Sequence, residues 1–154
     1  MTKSLRTLLT IAVPLVFSAQ AVVAQDNGPI ATGQHASGEV VAEIDGMVPE
    51  TDRVTIKMTL RPTQEGSRVS PKVIYSGLNG NVYEEIYLLA GDTKYMLLRD
   101  DGNNVIASRS LVASGSGPSL GVWYGVFPMP DPGEAIMLFM PNMQPIGPFT
   151  MQAR

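Results

Sequence analysis

Cysteine is absent from all 154 residues, and histidine and tryptophan occur once each. The first absence excludes disulfides, thiolate metal centres, a cysteine nucleophile and lipidation at a cleavage-site cysteine, so the fold must rest on its hydrophobic core. The second leaves His35 as the sole imidazole, without a second one for a multi-histidine metal site. Long apolar runs are missing too. The longest, "LLTIAVPLVFSA", contains Pro14 and is followed by Gln20, short of the roughly 20 residues a bilayer core requires. Arginine and lysine are scattered singly, which gives no electrostatic footprint for nucleic acid or anionic lipid.

What is present begins with an export signal. Lys3 and Arg6 precede that apolar run and the small-residue stretch "AQAVVA" comes after it, the pattern of a cleaved secretory leader. Residues 1–24 are expected to be removed after Ala24, with the "AQA" ending at Ala21 as the competing site. Removal leaves nine basic residues against 14 acidic ones, a net charge of −5. The expected destination is the periplasm or the outside of a bacterial-type cell, with no stable membrane insertion after cleavage. Residues 25–37, "QDNGPIATGQHAS", are polar and lack apolar periodicity, so they read as a flexible lead. His35 lies in it, without fixed partners for a metal site.

From residue 38 to 154 the pattern has period two. In "RVTIKMTL", Val54, Ile56, Met58 and Leu60 share one face while Arg53, Thr55, Lys57 and Thr59 share the other, the signature of a half-buried strand. "GEVVAEI", "PKVIYS", "NVYEEIYLLA", "KYMLLRD", "NVIASRSLVA", "LGVWYGVF" and "EAIMLFM" are further short runs rich in β-branched and aromatic residues. Turn chemistry separates them, beginning with "EIDGMVPETD"; Gly91-Asp92 and Asp101-Gly102 mark two hairpins. Seven or eight strands describe an all-β, antiparallel sandwich, with a small barrel as the alternative. Prolines frame the end of the chain: Pro128, Pro130 and Pro132 stop one strand, Pro132-Gly133 turns the chain, and Pro141, Pro145 and Pro148 interrupt the segment after "EAIMLFM".

Candidate chemistry is sparse. Asp100, Asp101, Asn103 and Asn104 are oxygen donors, but lack the spacing and downstream acid of a calcium loop and read as a hairpin tip. Glu84 and Glu85, read as strand neighbours, point to opposite faces and do not converge. Ser114, Ser116 and Ser119 do not form a nucleophile elbow. Five of nine methionines, Met129, Met137, Met140, Met143 and Met151, crowd the last 26 residues. Thioethers select Cu(I), and strand geometry lets only Met140 and Met143 converge, across the Pro141-Asn142 bend.

Two stretches, "YEEIYLLAGDTKYMLLRDDGNNVIAS" and "VWYGVFPMPDPGEAIMLFMPNMQPIGPFTM", joined by a Gly/Ser loop, resemble a small immunoglobulin-like domain of bacterial envelope proteins, of the kind often found ahead of peptidoglycan-binding domains like that of outer-membrane protein A. The resemblance covers residues from about 82 to 151 and implies an immunoglobulin-like sandwich with an envelope role. Its motifs are structural, so no site residue is carried over. The expectation is an exported, non-enzymatic module without a cofactor, binding an envelope protein or other cell-wall component through Trp123, Tyr124, Met129 and Pro130. Periplasmic Cu(I) binding by Met140 and Met143, with Met151 as a further candidate, is the alternative.

Overall fold

The computed structural model describes residues 28–151; the leader expected at residues 1–24, and residues 25–27 and 152–154, lie outside them. In chain order the elements are β1 (Ala31–Gln34), β2 (Val40–Pro49), β3 (Arg53–Pro62), β4 (Val69–Tyr75), a short helix α1 (Asn81–Glu85), β5 (Tyr87–Ala90), β6 (Thr93–Met96), β7 (Leu111–Gly115), β8 (Gly121–Pro128), β9 (Ile136–Phe139) and β10 (Ile146–Phe149). They form antiparallel sheets in the orders β1-β2-β3-β8, β10-β9-β5-β6 and β4-β7. The sheets do not close into a barrel, and the described residues have ten strands instead of seven or eight.

The alternation of β3 decides how the sandwich is filled. Val54, Ile56, Met58 and Leu60 are buried, as are Trp123 and Phe127 on the adjacent β8 and Ala42 and Ile44 on β2. Ile86, Leu88, Ile136, Leu138 and Ile146 complete the core from the other side. Both expected hairpins form, and the tight turn at Gly91-Asp92 joins β5 to β6 with Gly91 at φ 54. At the second, Asn103 holds the positive φ, 63, while Gly102 does not.

The structure corrects four expectations. The lead is not a flexible segment from residue 30 onward: β1 pairs with β2, and Gly33 packs so closely that an added Cβ would lie 2.6 Å from Ile146 Cγ1. Its inward residues, Ala31, Gly33 and His35, are too small or too polar to give an apolar period. "EIDGMVPETD" continues β2 through a bulge at Asp45, and the chain turns only after Pro49. "NVYEE" is helical, so Glu84 and Glu85 are exposed neighbours on a helix rather than on a strand. Finally, "IGPF" pairs with β9 despite Pro148, which lies on the edge strand of its sheet, where a missing N–H is tolerated.

Candidate functional site

Trp123 and Tyr124 are consecutive, so β8 sends their side chains to opposite faces. Trp123 points inward and is 2% exposed. Its Nε1–H donates to the Tyr75 hydroxyl at 2.7 Å, and that hydroxyl donates to the Ser108 carbonyl at 2.6 Å. Burial is the main cause pushing the Tyr75 pKa up to about 12, with the bond from Trp123 opposing it. Tyr75 is therefore a neutral relay between a buried indole and a backbone carbonyl. Gly125 makes room for the indole, since a Cβ there would collide with the Trp123 ring and come within 2.9 Å of Leu97.

The opposite face of the same ladder is open. Tyr124 is 45% exposed and Val122 70%, and they pair across with Lys57 and Thr59. With Thr55 and Asp45 they border a shallow groove of about 470 Å³. Ser108 fastens Tyr124 from the side: its N–H donates to the Tyr124 carbonyl at 3.0 Å, and its Oγ accepts the Tyr124 N–H at 3.1 Å. The backbone carrying this aromatic ring is thus held on both edges, by β3 and by Ser108.

Of the four residues expected to meet a partner, only Tyr124 stands on this face. Trp123 is core, because its large ring fills the space over Gly125. Pro130 is buried and Met129 packs against the core, its N–H donating to the Asp52 carbonyl at 2.9 Å, so these two residues do not project for a partner, although residues 131–135 after them are exposed. Sequence reasoning missed Tyr75 and Ser108. Each looks ordinary in its own run, and only the register of distant strands brings them beside β8.

The remaining candidates resolve individually. The Asp100 carboxylate accepts the Asn104 N–H at 2.8 Å and both its oxygens accept from the Asn104 amide, which lowers its pKa and occupies the oxygens a cation would take. Ser114, Ser116 and Ser119 are all exposed, Ser114 at the end of β7 and the other two in the loop after it. Among the described residues no three of His, Cys, Asp and Glu gather as a metal cluster.

Met137 and Phe139 are half-buried, whereas Met140 is buried with Ile136 and Leu138, as strand alternation requires. Met151 is also core. His35 is not a loose residue: it is 9% exposed, its Nδ1 accepts the Ser37 N–H at 3.1 Å, and its backbone lies opposite Met143. Burial first, then the Lys72 charge, lowers its pKa, while Glu39 opposes both. Comparison with known proteins finds no matching family model, no matching curated protein and no matching solved structure.

Proposed function

We propose that this protein is an exported, non-enzymatic module of the bacterial envelope, an immunoglobulin-like sandwich in the periplasm or outside the cell that works by binding an envelope protein or other cell-wall component. The observation that carries the reading is the split of β8: Tyr124 and Val122 stand exposed on a strand whose inner side is fixed by Trp123, Tyr75 and Ser108. A rigid aromatic residue with an apolar neighbour supplies contact area at small entropic cost. Thr55, Lys57, Thr59 and Asp45 around it supply the polar rim that such contacts use.

The test is a photo-cross-linking residue placed at Val122 in intact cells, with the same residue at Val73 of β4, also exposed, as the comparison position. Capture at residue 122, lost when Tyr124→Ala is added, supports the reading. A discrete cross-linked band identifies a protein partner, and retention with the cell-wall fraction identifies a wall component. Equal capture at both positions, or none at either, removes it.

A further inference from the structure

We infer that the corner where β1 meets the β9–β10 turn is a soft-metal site, with Met140, Met143 and His35 as ligands for Cu(I). It is separate from the binding face of β3 and β8. Met140 and Met143 are the first and fourth residues of a turn through Pro141 and Asn142, closed by the Met143 N–H donating to the Met140 carbonyl at 3.4 Å. Asn142 holds φ 58, a value asparagine tolerates better than most residues. Such a turn places its end Cα atoms within about 7 Å of each other. Met140 belongs to the core cluster and Met143 packs against it, so both thioethers lie on the inner side.

Directly across from Met143 stands His35. The flanking bonds run from Ala36 N to Asn142 O at 2.9 Å and from Gln144 N to Gln34 O at 2.8 Å. His35 and Met143 are therefore a non-hydrogen-bonded antiparallel pair, the type whose Cα atoms are about 4.5 Å apart and whose side chains share a face. Two thioether sulfurs and one imidazole nitrogen are neutral, soft donors, a set that favours Cu(I) over calcium or magnesium.

The charge around His35 agrees with this assignment. Lys72 and Glu39 are the charged groups facing it, and they are ion-paired with each other, so no uncompensated cation opposes the metal. With Nδ1 held by Ser37, Nε2 is the nitrogen left for the metal. On coordination the ring proton passes from Nε2 to Nδ1, which gives up the bond it accepts from the Ser37 N–H and donates instead to Ser37 Oγ, 3.0 Å away. The copper keeps its oxidation state, and no proton is gained or lost.

Methionine also serves as an adaptable core filler, and that role makes a different prediction: Met→Leu would change nothing but packing. The experiment is an anaerobic Cu(I) titration of the purified protein against bicinchoninate. The expected result is one Cu(I) withdrawn with a dissociation constant below micromolar, weakened at least tenfold by Met143→Leu and by His35→Gln. Met129→Leu and Met137→Leu, outside the corner, should leave it unchanged. X-ray absorption of the wild-type complex reads the ligands without any variant, and two sulfurs with one nitrogen are expected. Failure to compete with the chelator, equal affinity in the Met143 and His35 variants, or a ligand shell without sulfur overturns the inference.

Discussion

Along β3 and β8 eight consecutive residues pair in unbroken antiparallel register, from Arg53–Pro128 to Leu60–Gly121, whereas β9 and β10 share two partner pairs with a shift between them. The first region is held by repetition: every second side chain enters the core and each neighbour braces the next. The second is held by particular fits, among them Gly33 against Ile146, a turn on Asn142, and the single bridge from His35 to Met143. Redundant contacts make the first the expected seat of global stability. A region with fewer interlocking pairs opens at lower free energy and tolerates rearrangement around a ligand.

The sharpest way to break this comparison is at Trp123. Truncation to alanine removes a fully packed indole and costs about 3–5 kcal/mol by the usual range for large core residues. Tyr75→Phe leaves the Trp123 Nε1–H without its acceptor, a loss of about 1–3 kcal/mol for an unsatisfied buried donor. Urea unfolding measures both. Similar costs for these changes and for changes at the methionine corner would mean that the two regions are not distinct.

Gly33→Ala comes next. The added methyl meets Ile146 Cγ1 at 2.6 Å and the Gln144 carbonyl oxygen at 2.9 Å, so β1 or β10 must shift. Overpacking of this kind costs about 1–3 kcal/mol, and it should appear as faster amide exchange confined to β1 and β10. Uniform loss of protection across β3 and β8 would show instead that the corner and the central sheet open as one unit.

The same contrast explains what the sequence makes legible. The inward set of β3 and the outward set of Thr55, Lys57 and Thr59 are fixed by local alternation, because a one-residue slip would send every apolar side chain into water. The hairpin at Gly91-Asp92 is equally local. By contrast, β1 reads as a polar lead because its inward residues are Ala31, Gly33 and His35, and β10 reads as broken because Pro148 is visible while its edge position is not. At the candidate sites, the exposure of Tyr124 and the burial of Trp123 can be read from the period once one face is assigned. The joining of Tyr75 to Trp123 and of His35 to Met143 spans 48 and 108 residues of chain and depends on register that no local pattern records.

Proton linkage sharpens the comparison further, with opposite signs in the two regions. The folded pKa of His35 lies below its ordinary 6.5, so the unfolded chain binds more protons between the two values. Its contribution is complete above pH 6.5 and is lost as pH falls through the folded pKa; His35→Gln should flatten that acid limb. Tyr75 behaves in reverse. Its folded pKa of about 12 exceeds the ordinary 10, so its contribution is complete below pH 10 and is lost as pH rises toward 12. A histidine ring titration by NMR, unambiguous among the described residues because His35 stands alone, checks the direction at the corner.

The smallest expected stability effect is the one on which the binding reading depends. Tyr124 and Val122 face outward, and surface substitutions away from special backbone features usually stay within about 0.5 kcal/mol. Tyr124→Ala and Val122→Ser should therefore leave the urea midpoint nearly unchanged, while Tyr124→Ala abolishes the capture expected at residue 122. The backbone bonds from Ser108 persist in the Tyr124 variant, since they use the main chain at Tyr124 and not its ring. A large fall in stability would instead mean that the ring braces the sheet. Its exposure would then be a by-product of covering β3, and the outer face would lose its claim to be a docking surface.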